Sequence, residues 1–151
     1  MAADTATIHA SAVLIGHKAA LIRGPAGSGK SQLVWDLLQS MEFGTLPFAR
    51  LVADDRAHVE ACADRLLVRP APALAGMLEI RGLGIRRLPY EGVAAVGLVV
   101  DLAAGDATRH PAQEAGKTVI SGVSLPRLAV AAGMPALPIL LAFLKASPAG
   151  N

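Results

Sequence analysis

Gly24-Pro25-Ala26-Gly27-Ser28-Gly29-Lys30-Ser31 satisfies the pattern G-x-x-x-x-G-K-[ST] without a substitution. Glycines in such a loop let successive backbone N–H groups point inward around an anion. Lys30 is placed to reach the β- and γ-phosphates of a nucleotide, and the Ser31 hydroxyl to ligate Mg²⁺. Both flanks agree. Ala19–Ile22 is a short apolar run suited to a buried strand, and Gln32–Gln39 sets Leu33, Val34, Leu37 and Leu38 at helical spacing. Strand, loop and helix together put the phosphates at the positive end of a helix dipole.

Working outward, Ser11–Ile15 and Lys18–Arg23 form two strands joined by a Gly16-His17 turn. The helix from Ser28 runs to about Met41, with Gly44 and Pro47 as stop signals. Arg50–Asp55 is a strand ending in two acids, and His58–Cys62 with Arg65–Arg69 is a hairpin turning at Ala63-Asp64. Leu78–Ile85 is an extended segment broken by glycine, Val96–Leu102 a continuous apolar strand, and Lys117–Ile120 and Arg127–Val130 short strands. Leu137–Ala146 closes the chain as a helix begun after proline. The fold class is α/β, with a mixed sheet and many short strands.

The 151 residues make one domain, 53% hydrophobic and 17% charged. Mean hydropathy is +0.47, which fits either burial of apolar surface between subunits or an alanine-rich composition that raises the index. A net charge of +2, with no Lys/Arg run, does not suggest a nucleic-acid partner. Cys62 is the single cysteine, so an internal disulfide and a thiolate cluster are both excluded. The N-terminus lacks the pattern of a signal peptide. The longest apolar segment, Met134–Leu144, is broken by Pro135 and Pro138 and is too short to span a bilayer. The expected location is the cytoplasm, with no membrane partner.

A phosphate loop that transfers phosphate needs acids for the metal and a base for the acceptor. Val99-Val100-Asp101 and Leu51-Val52-Ala53-Asp54-Asp55 are both apolar strands ending in acid, and spacing alone does not choose between them. Adjacent strand residues face opposite ways, so Asp54 and Asp55 should differ in role, one toward metal and one toward acceptor. Glu79 and Arg81, two apart in an extended segment, share a face and can address one anionic site. Gly82 and Gly84 leave room for the backbone to approach a ligand.

His9, the Gly24–Ser31 loop, Leu51–Asp55 and above all Leu78-Glu79-Ile80-Arg81-Gly82-Leu83-Gly84-Ile85 together resemble the catalytic domain of HPr kinase/phosphorylase, in the family's order, from about His9 to about Val130. The resemblance implies a P-loop kinase domain, like that of PEP carboxykinase. It also implies a bifunctional enzyme that phosphorylates a serine of an HPr-like phosphocarrier from ATP or pyrophosphate and reverses this by phosphorolysis. By position, Asp55 is the acceptor base, Lys30 holds the phosphates, and His9 matches an active-site histidine. Ser31 and Glu79 are Mg²⁺ ligands, with Asp54 binding metal or its water.

Arg109 in Thr108-Arg109-His110-Pro111 aligns with the family's catalytic arginine, and Arg81, Gly82 and Gly84 belong to the signature. The loop Ser121–Arg127 resembles the segment tied to dephosphorylation, with Pro126-Arg127 where the family has Pro-Gly-Arg-Asn. The chain resembles the short, single-domain type, while the long forms are hexameric. Two alternatives stand beside this. A small-molecule or nucleotide kinase would carry an arginine-rich lid, to which Arg86-Arg87 is the nearest approach. A non-catalytic ATP sensor would have no use for a base such as Asp55.

Overall fold

A computed structural model of the chain describes residues 5–109, 111 and 113–149. Eleven strands and two α-helices are present among them. In chain order the strands are β1 (Thr5–Ile8), β2 (Ala10–Ile15), β3 (Lys18–Arg23), β4 (Ala49–Ala53), β5 (Ala57–Cys62), β6 (Arg65–Pro70), β7 (Met77–Ile80), β8 (Gly84–Arg87), β9 (Ala94–Asp101), β10 (Lys117–Ile120) and β11 (Val123–Ala129). The helices are α1 (Lys30–Glu42) and α2 (Ala136–Lys145).

Nine strands form one mixed sheet among the described residues: seven run in the order β1-β5-β6-β9-β3-β2-β4, β11 adds to β9, and β10 pairs with β11. The parallel pairs are β3 with β9 and β9 with β11; the remaining pairs are antiparallel. One edge of β9 is shared, first by β6 at Ala94–Ala95 and then by β11 at Val99–Asp101. The sheet curls until β6 comes alongside β4. Its inner face buries Leu21, Val52, Val59, Leu66, Val68 and Val99, while the outer face packs Ile22, Leu51 and Val100 against Leu33, Val34 and Leu37 of α1.

Two β-bulges set which side chains face the site. Between β3 and β9 the register moves from Ala19↔Val96 to Ala20↔Leu98. This skip at Gly97 is why Val96 and Val99 share the inner face although they are three apart. Between β2 and β4 it moves from Ala12↔Ala53 to Val13↔Leu51, skipping Val52. Along β2, Ala10 and Ala12 join the inner core and Val13 the outer one, so Ser11 lies on the helix-covered face. Leu33, Val34 and Leu37 are at most 2% exposed. A buried leucine there contributes roughly 2–5 kcal/mol against alanine.

The structure corrects several sequence expectations. Leu78–Ile85 is a hairpin, not one extended segment: β7 and β8 pair antiparallel, and Leu83 N donates to Ile80 O at 2.9 Å across the turn. Gly82 sits in that turn at φ +86° with open space around it, so the turn, and not the approach of a ligand, calls for glycine. Arg81 therefore lies in the turn, beyond the end of β7, and the shared strand face with Glu79 does not exist. Helix α1 starts at Lys30, two residues later than expected, because Gly29 is its left-handed N-cap at φ +99°. The strand carrying the first acid pair stops at Ala53. Ser121–Arg127 is largely strand rather than loop, and β1, paired antiparallel with β5, is a strand beyond those expected. No helix among the described residues is long and apolar enough to cross a membrane.

Candidate active site

At one end of the sheet the register brings the sequence-predicted residues together. Ala10 pairs with Arg23, Arg23 with Asp101, and Ala12 with Ala53. His9, the phosphate loop and the Asp54-Asp55 bend therefore leave neighbouring strands at the same end. The loop itself is tight. At Gly24, φ is +157°, and a Cβ there would lie 2.5 Å from Ser28 Oγ and 3.1 Å from Leu102. Only glycine lets the chain turn against Leu102.

Lys30 is 7% exposed. Its ammonium donates to the carbonyls of Gly24 at 2.8 Å and Pro25 at 3.3 Å, so its charge is held inside the arc of the loop. The apolar stem is covered while the head stays polar-paired. Next to it, Ser31 Oγ donates to Asp54 Oδ1 at 2.7 Å. Asp54 is buried and accepts two further bonds, from Ser11 Oγ at 2.9 Å and from the Glu79 backbone N–H at 3.3 Å. The Glu79 backbone thus reaches Asp54, because residues after β8 run along β4: Tyr90 bridges Leu51, and Glu91 N donates to Leu51 O. The Glu79 side chain itself is exposed.

Ser11 was not singled out by sequence reasoning. It is fully buried, donates to Asp54 and accepts from the Asp55 backbone N–H at 3.0 Å. One hydroxyl thereby fixes both acids. The signal in the sequence was a lone polar residue inside an apolar strand. Asp54 and Asp55 differ as expected, but for another reason than strand alternation. Both lie in a bend, and Asp55 has φ +66°, a left-handed conformation that aspartate tolerates better than most residues. The Arg56 N–H to Asp54 O bond at 2.7 Å and the Ser11 bond hold it there. Its carboxylate is exposed at the mouth, with no side-chain partner among the described residues. Strain of this kind collects at functional sites.

Asp101 has a different environment. Arg23 Nε and Nη2 donate to its two oxygens at 2.7 and 2.8 Å, and Arg127 Nε donates at 2.6 Å. Burial pushes the Asp101 carboxyl up, but the bonds from Arg23 and then Arg127 outweigh it and hold the group below the ordinary carboxylate range. Arg127 also forks onto Asp106 at 2.8 and 2.9 Å and donates to Ala115 O. The bond to Asp106, then that to Asp101, raises Arg127 above an ordinary guanidinium and lowers Asp106. The Arg127 guanidinium, expected to face substrate, is thus taken up by two carboxylates and a carbonyl. His9 is exposed between β1 and β2, and Arg109 is exposed on the loop after β9. Neither side chain is joined to the Asp54 cluster by a hydrogen bond among the described residues. His110, next to Arg109, lies outside the described residues.

Among the described residues, no group of three or more His, Cys, Asp or Glu side chains is arranged to hold a metal ion. Ser31 Oγ and Asp54 do converge, and these hard oxygen donors suit Mg²⁺, which usually keeps waters and shares its shell with phosphate oxygens. The residues therefore fit that ion.

A strand–loop–helix with its lysine inside the loop, and acids at neighbouring strand ends, defines a P-loop α/β domain of the phosphoryl-handling class. Comparison with known proteins narrows this. Residues 1–91 match the family model for the HPr Serine kinase C-terminal domain. An HPr kinase/phosphorylase of Geobacillus thermodenitrificans is 32% identical over 139 residues, covering 85% of this chain and 43% of that protein. Another, from an Exiguobacterium species, is 42% identical over 66 residues, 43% of this chain and 19% of that protein. The solved HPr(Ser) kinase/phosphatase of Coxiella burnetii superposes with a TM-score of 0.70 at 24% identity, covering 92% of this chain and 87% of that one, and confirms the fold. The chain belongs to the HPr serine kinase C-terminal domain family. It spans less than half the length of these two curated relatives.

Proposed function

We propose that this chain is one catalytic domain of an ATP-dependent protein-serine kinase, with phosphorolysis as its reverse reaction, acting on an HPr-like phosphocarrier. The observation that carries the reading is the buried Ser11–Asp54–Ser31 cluster beside the loop lysine, with the free, strained Asp55 at its rim. A simple nucleotide sensor needs the loop but has no use for that second acid.

In the forward direction the carrier serine oxygen bonds to the terminal phosphorus, and the bond from that phosphorus to its bridging oxygen breaks. ADP leaves, or orthophosphate when pyrophosphate is the donor. Asp55 orients the serine hydroxyl and takes its proton as the new bond forms, since a carboxylate cannot ionise a serine beforehand. In phosphorolysis an orthophosphate oxygen bonds to the phosphorus of the phosphoserine, the bond from that phosphorus to the serine oxygen breaks, and the protonated Asp55 returns its proton to the leaving serine. Lys30 exchanges its loop carbonyls for donor phosphate oxygens. Ser31 and Asp54 would hold Mg²⁺, joined by Glu79. The ion, when bound, neutralises charge on the transferring group. His9 and Arg109 are assigned to the rim facing the acceptor, with Arg81, Gly82 and Gly84 on the adjoining hairpin.

We infer a cytoplasmic, self-associating protein; a hexamer is the form the resemblance implies. Exposed apolar side chains at Phe43, Leu83, Ile85 and Val119 support association.

The test is incubation with labelled ATP, Mg²⁺ and a purified HPr-like carrier. Label on a carrier serine is the expected result. Label on free nucleotides or sugars instead would establish a small-molecule kinase. Pyrophosphate formed from the serine-phosphorylated carrier and orthophosphate checks the reverse step.

A further inference from the structure

The phosphate loop has two chemically different flanks. Ser31, Asp54 and Asp55 occupy the side toward β2 and β4. On the opposite side, past Leu102 at the end of β9 and Val130 at the end of β11, opens a cavity of about 670 Å³. Pro25–Gly29 and the first turns of α1 form one wall, and the segment Ala131–Pro138 leading into α2 forms the other. None of the steps above uses it.

Its size suits a nucleoside. Its walls are mainly apolar: Leu33, Leu102 and Leu137, with alanines and prolines between them. Met134, 54% exposed, lines the cavity and can adapt to a flat ring. The polar side chains of the α1 wall, Gln32 and Asp36, are bonded to each other at 2.9 Å. That exposed bond engages one Gln32 N–H and one Asp36 oxygen, and a single buried donor stands unpaired among the described residues. Ser28 Oγ, where the loop meets the cavity, is buried with no hydrogen-bond partner among the described residues. A buried hydroxyl in that state is a place for a ligand oxygen.

We propose that this cavity holds the nucleoside of the phosphoryl donor and grips the base without reading its edge. Purine and pyrimidine nucleoside triphosphates then serve alike. The donor lies across the loop, its nucleoside beside α2 and its terminal phosphate toward Ser31 and Asp55. The physical reason is the lining. Strong selection between bases needs buried polar groups that the wrong base leaves unpaired, whereas apolar walls separate similar ligands only weakly. The inference rests on the donor half of the function proposed above and not on the carrier.

Direct binding of ATP, GTP, CTP and pyrophosphate to the full chain with Mg²⁺, by calorimetry, tests it. The three nucleotides should bind within about tenfold of one another. Ala132→Trp, which fills the cavity from an exposed loop, should weaken all three at least about tenfold and leave pyrophosphate within about twofold. Met134→Ala removes an exposed side chain, so it does not threaten folding, and should weaken nucleotides about threefold with pyrophosphate unchanged. A preference above about a hundredfold for one base, or nucleotide affinity untouched by both variants, overturns the proposal, as does an equal loss of pyrophosphate. No calorimetric step needs an acceptor, so a failure to label the carrier leaves this result intact. Pyrophosphate binding without nucleotide binding sinks the nucleoside site alone.

Discussion

Asp54 follows apolar β4 and Asp101 ends apolar β9, at the same end of the sheet, yet they meet opposite chemistry. Asp54 accepts from two hydroxyls and an amide. Asp101 accepts from two guanidinium groups, one of them bidentate. Bonds from neutral donors to a carboxylate contribute about 1.5–3 kcal/mol each but bring no positive charge, so a cation still has a charge to meet there. Forked guanidinium pairs add that opposite charge themselves and compensate the acid outright. The apolar-strand-then-acid form thus marks only where an acid emerges. Its partners decide whether it is free to work.

The sharpest way to break the comparison is Asp55→Asn, at the rim of the working cluster. Phosphoryl transfer should fall about 10²–10⁴-fold, the usual share of a general base. Nucleotide affinity, measured separately, should stay within about threefold because the loop is untouched. Lost binding with residual transfer would contradict the role given to Asp55.

A smaller effect is expected one layer back. Ser11→Ala removes the hydroxyl that joins Asp54 to the Asp55 backbone. Transfer should drop about tenfold, and the Mg²⁺ concentration for half-maximal rate should rise, as when the outer partners of metal ligands are removed. Ser11→Thr keeps the hydroxyl and should restore most of both. Equal losses in the two variants would mean that Ser11 only packs β2.

How far these two regions could be foreseen follows from the reach of each contact. The phosphate loop is local: its glycines, Lys30 and Ser31 are contiguous, and their chemistry is written in their spacing. The acid after β4 was equally visible. What tells Asp54 from Asp101 is not local, because Ser11 lies 43 positions from Asp54 and Arg23 lies 78 from Asp101. Gly82 gave the opposite difficulty. A glycine in Leu78–Ile85 fits both a broken strand and a turn, and only the pairing of β7 with β8 decides. Arg127 was legible as a charged signature residue, but its capture by Asp101 and Asp106 depends on β11 pairing with β9.

Asp101→Asn tests the inert side, and its mark should be on stability and not on turnover. Replacing the carboxylate leaves Arg23 and Arg127 facing a neutral amide, at a cost of about 2 kcal/mol for a partly screened site. For a domain this size that is about 4–8 °C in Tm. Transfer at a temperature where both proteins are folded should change less than about threefold. The pH dependence carries a definite sign. The folded Asp101 carboxyl lies below its unfolded value, so its pairs act in full above the unfolded value of about 4 and are lost as pH falls through the lower, folded one. The stability gap between wild type and variant should therefore be constant from pH 7 down to about 5 and close below that. A gap that instead widened in acid would mean that Asp101 is protonated in the fold and that the guanidinium pairs do not hold it.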